Sequence, residues 1–267
     1  MKKTILTILL LAFCVSISGA GVTQDKLKVL ARKNACVTTN ITFWWRAEAL
    51  DFSSTNSDQC TTGDVVNGAD CSNADEIGAA LSGGTVGAAA AKMGSNGIDL
   101  PSPDDVVYFN GGTITDVITS SEGRVGFWFR YTTFPTGGEI FRLYDDAGNY
   151  FKIIATNSDE LTFTWQDNYG GDISYETTGN PVAACEQPSW CFIEVAWKPG
   201  DNYREILFDG VSKGISSAAI DAFAGSPIDW RWGTSGAASA DVHIENPIIS
   251  SSSTDDLNLC KDIPEYP

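Results

Sequence analysis

Aromatic, cationic and amide side chains recur at the outward positions of several alternating segments between residues 125 and 198. Those that could contact a ligand are Trp128, Arg130, Arg142, Tyr144, Lys152 and Gln166. Aromatic rings stack on sugar rings, and the planar fork of arginine matches a carboxylate or a sulfate. If these residues share one sheet face, they predict a groove for an acidic polysaccharide. The alternative is that the cations pair with Glu194 and other acids across strands on a solvated face.

Oxygen ligands for calcium are the second kind of chemistry that the residue types suggest. In the segment DNYGGD the predicted ligands are Asp167 and Asp172, with Asn168 between them. A further group of acids lies earlier in the chain, at Asp51, Asp58, Asp64 and Asp70. Neither group has the spacing of an EF-hand loop. Clusters of Asp, Asn and Gly also form ordinary turns, so both interpretations stay open.

Alternation of apolar and polar residues predicts the strands that would hold these side chains. In EGRVGFWFRY the apolar set lies opposite Trp128 and Arg130, and EIFRLYDD, NYFKII, ELTFTWQD, FIEVAWKP and REILFDG repeat the pattern. Turns rich in Gly, Asp and Asn join these segments without a long amphipathic helix, which favours an all-β sandwich or barrel. In IDWRWG, Trp230 and Trp232 alternate about Arg231, and the predicted role of the two tryptophans is core packing.

The first twenty residues have the order of a secretory signal peptide: Lys2 and Lys3, then an apolar run, then Ser-Gly-Ala. A lipid anchor on Cys14 is the competing interpretation, but Phe13 is bulky where lipoprotein signals have a small residue. We therefore expect a secreted protein, extracellular or periplasmic. The chain has 34 acidic and 17 basic residues, a charge that repels nucleic acid and anionic membrane surfaces. We expect neither as a partner, and no membrane insertion.

Six cysteines lie beyond the predicted signal peptide, and an even number in an exported chain predicts disulfides. The simplest pairing joins near neighbours and leaves the first cysteine to meet the last: Cys60 with Cys71, Cys185 with Cys191, and Cys36 with Cys260. A zinc site would need closer Cys and His spacing. The predicted organisation is a signal peptide at 1–20, a lead-in at 21–39, one domain at 40–260 and a tail at 261–267.

Several segments, taken in order, resemble the laminin-G-like jelly rolls of the concanavalin A-like superfamily. They are WWRAEALDF, GIDLPSPDDVVYFNG, EGRVGFWFRY, EIFRLYDDAGNYFKI, PSWCFIEVAWKPGDNYREILFDG and DVHIENPIIS, which together span roughly residues 40 to 250. The resemblance implies a two-sheet antiparallel jelly-roll sandwich whose first and last strands are neighbours. It thereby supports a bridge between Cys36 and Cys260, and it adds weight to calcium because such domains often bind it.

The superfamily includes lectins, adhesion modules, glycosidases and polysaccharide lyases, so the fold alone does not give the function. The ExDxxE string of its glycosidases is absent, and the nearest pair of carboxylates is Glu205 with Asp209. Arg142, Gln166 and Tyr144 have the side-chain chemistry of a lyase, yet the alginate-lyase motifs RxExR, QIH and YxKxGxYxQ are absent.

The sequence thus favours a non-catalytic carbohydrate-binding or adhesion module with an extracellular glycan or cell-surface partner. A polysaccharide lyase or another glycan-active enzyme of this fold is one alternative. A structural surface or assembly subunit is another.

Overall fold

The computed structural model describes residue 36 and residues 40–44, 57–58, 65–66, 69–70, 78–92, 97–110, 118–145, 148–156, 160–166, 173–177 and 180–262. The predicted signal peptide, Cys60, Cys71, Asp167 and Asp172 lie outside these residues. Within them, none of the helices has both the length and the apolar character needed to cross a membrane.

Almost all regular structure in the described residues is β-strand. The strands are β1 (Ile41–Trp44), β2 (Ser57–Asp58), β3 (Val65–Val66), β4 (Ala69–Asp70), β5 (Gly78–Ser82), β6 (Thr85–Gly87), β7 (Gly97–Leu100), β8 (Val106–Asn110), β9 (Gly123–Thr133), β10 (Glu139–Asp145), β11 (Tyr150–Ala155), β12 (Leu161–Gln166), β13 (Ile173–Glu176), β14 (Cys191–Lys198), β15 (Tyr203–Phe208), β16 (Val211–Ser216), β17 (Pro227–Ser235) and β18 (Asp241–Ser250). Short 3-10 turns lie at Ala88–Ala90, Pro181–Cys185, Pro199–Asp201 and Leu257–Leu259.

The strands form two antiparallel sheets that pack face to face, which confirms the predicted all-β sandwich. The first sheet has the order β16-β15-β14-β9-β18-β1-β3-β4, with β7 also paired to β18 and β6 to β7. The second sheet has the order β13-β12-β11-β10-β17-β8-β5-β2. β1 lies antiparallel beside β18, so the first and last described strands are neighbours.

The core between the sheets is built from the apolar half of each alternating strand. In β9, for example, Phe127 and Phe129 are fully buried, and Phe141 and Leu143 are fully buried in β10. Phe151 of β11 stacks on Trp165 at 5.3 Å between ring centroids. Trp230 and Trp232 have no exposed surface, so the prediction that they pack in the core is confirmed.

A second apolar cluster lies on the outer surface of the first sheet. We call this outer surface the covered face. Its buried members are Cys36, Ile41, Trp44, Trp128, Phe192, Ile248, Leu257 and Cys260. The chain from residue 253 to 261 lies over it, and Cys36 is bonded to Cys260 there. A further disulfide joins Cys185 to Cys191. Both disulfides belong to the simplest expected pairing.

The covered face corrects the prediction that Trp128 is an exposed platform. Its side chain does point away from the main core, as alternation predicts, but it is only 4% exposed. The indole Nε1 donates a hydrogen bond to the carbonyl of Lys261 at 2.8 Å. Alternation distinguishes the two faces of a strand, and it cannot show that a later segment covers the outer one.

Candidate ligand-binding site

The residues predicted to share one face are divided between the two sheets, which corrects that prediction. Trp128 and Arg130 lie on β9 and Glu194 on β14, both in the first sheet. The other four lie on the outer surface of the second sheet: Arg142, Tyr144, Lys152 and Gln166. Only these four are brought together.

Three cations lie side by side on the outer surface of the second sheet. Arg142 of β10 is the register partner of Arg231 on β17 and of Lys152 on β11. Adjacent strands are about 4.8 Å apart, so the three side chains form a row across the strands. Their side chains are 21%, 25% and 21% exposed for Arg142, Arg231 and Lys152, so solvent reaches all three. We call this surface the cation face.

A single carboxylate, that of Glu139, contacts all three cations. Its oxygens lie 3.2 Å from Lys152 Nζ, 3.5 Å from an Arg142 Nη and 3.6 Å from an Arg231 Nη. Positive charge therefore exceeds negative charge in the row itself, within a chain whose formal charge is −17. Such a local excess attracts anions.

An aromatic and amide row runs parallel to the cation row. Tyr144 is the register partner of Asp229 on one side and of Tyr150 on the other, and Tyr150 is the partner of Gln166. The Arg142 guanidinium lies 4.8 Å from the Tyr144 ring and 5.4 Å from the Tyr150 ring. These cation–π contacts hold the guanidinium over the tyrosines.

Asp229 is a second acid on the described part of the cation face. Burial raises the pKa of its carboxyl, while the charges of Arg231 and Arg142 oppose the rise. Its Oδ1 is buried without a hydrogen-bond partner, as are the Nε atoms of Arg142 and Arg231. Hydrogen-bonding capacity is therefore unused in this part of the surface.

Sequence reasoning missed four residues of this surface: Glu139, Tyr150, Asp229 and Arg231. The outward position of Arg231 could have been predicted from the sequence, because Arg231 lies between two core tryptophans and alternation must turn it outward. The outward position of Glu139 could not have been predicted, since Glu139 lies two residues before Phe141 and regular alternation would turn it inward. The register shifts between Glu139 and Phe141, which buries Ile140 completely and turns Glu139 outward.

Arg130 lies on the covered face in a separate polar cluster with His243, Asp99 and Asp241. Its Nε donates to Nδ1 of His243 at 2.9 Å, and its guanidinium stacks 4.6 Å from the Trp190 ring. His243 Nε2 lies 3.2 Å from Asp99 Oδ1 and 3.7 Å from Asp241 Oδ1. Arg130 is therefore engaged by its neighbours, and its own side chain is buried.

Asp99, Asp241 and His243 are close enough together to suggest a metal site, but the contact with Arg130 argues against it. An arginine donates hydrogen bonds only, so Nδ1 of His243 must be the acceptor and Nε2 must carry the ring proton. A metal would need the lone pair of Nε2. Burial and the charge of Arg130 also lower the pKa of His243, while Asp99 and Asp241 oppose the fall, and the net shift favours the neutral ring. The arrangement is a hydrogen-bond network around a neutral histidine.

Glu194 and the candidate carboxylate pair have structural partners. The Arg124 Nε donates to Glu194 at 3.0 Å, and both side chains are buried. Glu205 accepts a hydrogen bond from the Tyr203 hydroxyl, whereas Asp209 pairs with Lys261 Nζ at 2.6 Å. Glu205 and Asp209 are thus engaged with different partners.

No protein-family model and no curated protein sequence matches this chain. Solved structures do resemble it. The receptor-binding domain of botulinum neurotoxin C/D mosaic serotype superposes with a TM-score of 0.58 at 13% identity, covering 84% of this chain and 51% of that one. The binding domain of Paraclostridial Mosquitocidal Protein 1 gives 0.58 at 12% identity, with 85% and 51% covered.

A third similar structure is the ligand-binding domain of botulinum neurotoxin serotype D in complex with N-acetylneuraminic acid. Its TM-score is 0.52 at 14% identity, and the match covers 80% of this chain and 50% of that one. The chain thus spans about half the length of the domains it resembles. At these identities the likeness is one of fold: the chain is a β-sandwich similar to half of a toxin receptor-binding domain.

Proposed function

We propose that this protein is a non-catalytic carbohydrate-binding module that binds an acidic glycan on the cation face. The observation that carries the proposal is the row of Arg231, Arg142 and Lys152, which shares one carboxylate and lies beside two tyrosines and Gln166. Guanidinium groups bind carboxylates and sulfates, and tyrosine and glutamine can hydrogen-bond sugar hydroxyls.

The similar structures support this proposal at a coarse level, since they are receptor- or ligand-binding domains and one is in complex with an acidic sugar. The two disulfides favour an oxidising compartment, so we propose that the protein acts outside the cell or in the periplasm. Calcium binding by Asp167 and Asp172 stays a prediction.

Charge-removal variants test the proposal directly. The probes are a heparin-derived oligosaccharide, a galacturonate oligomer and a neutral dextran oligomer, measured by isothermal titration calorimetry at two salt concentrations. We expect Arg142→Ala and Arg231→Ala to weaken binding of the acidic probes by roughly tenfold, the effect of losing one charged hydrogen bond. Added salt should weaken wild-type binding in the same direction.

Lys198→Ala is the matched control, because it removes one positive charge from β14, in the first sheet. It should bind all probes like the wild type. Equal affinity for acidic and neutral probes, or equal losses in all three variants, would contradict the proposal. Ultraviolet absorbance from unsaturated product would indicate the lyase alternative, and self-association without glycan binding would indicate a structural subunit.

A further inference from the structure

The position of Glu139 within the cation row points to a role in selectivity. We propose that Glu139 is a specificity-determining residue: its carboxylate is an internal anion that a ligand must displace. A glycan with an acidic group can take its place beside the cations, whereas a neutral glycan cannot. This inference rests on the proposed function of the cation face and deepens it.

The backbone of β10 itself places Glu139 on the outer surface of the second sheet. The register shift before Phe141 occurs against both neighbouring strands, β11 and β17. It breaks the alternation of the strand at one point and directs the carboxylate to the outer surface. Without it, Glu139 would share the inward side with Phe141 and Leu143.

The contacts of Glu139 are those of a displaceable group. Its distances of 3.2 to 3.6 Å from the cations exceed the ~2.7–2.9 Å of a strong charge-assisted hydrogen bond. All four side chains keep some exposure to solvent, so water and salt screen these ion pairs in part. An incoming acidic group therefore replaces ion pairs that are long and partly screened.

Arg142 and Lys152 have contacts besides Glu139 that hold their positions. Arg142 is held over the rings of Tyr144 and Tyr150, and Lys152 Nζ lies 4.8 Å from the Tyr150 ring. Strand register fixes the spacing of the row. Removing the carboxylate should leave a row of the same geometry with more net positive charge.

Asp229→Asn provides a matched control for the loss of negative charge. Asp229 lies on the same face, and its charge interacts with Arg142 and Arg231, but its register partner is Tyr144 in the aromatic and amide row. A general electrostatic effect would appear in both variants. Competition for the row would appear in Glu139→Gln alone.

The experiment measures binding of a heparin-derived oligosaccharide and a neutral dextran oligomer to the wild type and to Glu139→Gln, Asp229→Asn and Arg142→Ala. We expect Glu139→Gln to bind the acidic probe roughly threefold more tightly or better, because the ligand no longer competes with a carboxylate for the cations. Its salt dependence should steepen, and its affinity for dextran should not change. Glu139→Ala should act in the same direction, and thermal unfolding of each variant verifies folding.

The outcomes separate the two proposals. If the wild type binds and Arg142→Ala weakens binding, but Glu139→Gln binds equally or less tightly, Glu139 organises the cations and the inference is wrong. An equal gain in Asp229→Asn also overturns it. If Arg142→Ala binds like the wild type, the proposed function itself fails.

Discussion

At the scale of single residues, ionisable groups on the two outer surfaces have different environments. Glu139 on the cation face meets three cations at a partly exposed surface. Glu194 on the covered face is fully buried beside Arg124. Burial raises the pKa of Glu194 to about 7, with Arg124 opposing and Asp256 reinforcing the rise. A carboxyl with such a pKa makes the stability of the fold depend on pH.

The stability contributed by Glu194 is fully present below its unfolded pKa, near 4.5, and is lost as the pH rises through about 7. We expect the free energy of unfolding of the wild type, relative to that of Glu194→Gln, to fall by up to ~3 kcal/mol between about pH 5 and pH 8. Urea denaturation of both proteins across this range measures it. A difference independent of pH would contradict the assigned pKa shift.

At the scale of elements, β9 contributes to two apolar layers. Phe127 and Phe129 fill the core between the sheets, whereas Trp128 packs in the second cluster with Phe192 at 5.4 Å between ring centroids. Lys92 Nζ and Lys261 Nζ lie 4.3 Å and 4.9 Å from its ring. The strand is thus buried on both sides along most of its length.

Trp128→Ala should therefore destabilise the domain by about 3–5 kcal/mol, because it leaves a cavity under the covering segment. Binding of an acidic probe by the remaining folded protein should be unchanged, since Trp128 lies on the opposite side of the sandwich from the cation face. Chemical denaturation and calorimetric titration measure the two effects. Tyr144→Ala, on the cation face, should show the reverse pattern. Equal stability of Trp128→Ala and wild type would show that the cluster contributes little.

At the scale of the whole molecule, the two disulfides among the described residues close loops of very different length. Cys36 and Cys260 are 224 residues apart, whereas Cys185 and Cys191 are 6 apart. Since a cross-link restricts the unfolded chain more when the loop is longer, the first disulfide should contribute more stability. It also fixes the covering segment against the first sheet.

Replacing Cys36 and Cys260 with serine should lower the free energy of unfolding by about 5 kcal/mol, against about 2 kcal/mol for replacing Cys185 and Cys191. Denaturation of the two double variants gives the comparison under identical conditions. A larger loss from the short loop would show that native-state packing outweighs the loop entropy.

The alternation of apolar residues was sufficient to predict β9 to β12, β14 and β15, together with their inward sides. Phe141, Leu143, Trp165 and Val195, for example, are all fully buried as expected. Alternation could not predict which strands share a sheet, because that depends on pairing between distant segments. It therefore grouped Trp128 with Arg142, which lie on opposite outer surfaces. The register shift at Glu139 and the segment over Trp128 likewise depend on tertiary packing.

The bridge between Cys36 and Cys260 has a mechanical consequence. The two Cα atoms are 5.0 Å apart, so tension applied to the chain on both sides of residues 36–260 is transmitted through one covalent link. The hydrogen bonds between β1 and β18 lie inside the bridged loop and do not bear that load. Under reducing conditions the same tension would reach them and peel β1 from the sheet. The oxidised domain should therefore stay folded when tension is applied to the chain before residue 36 and after residue 260.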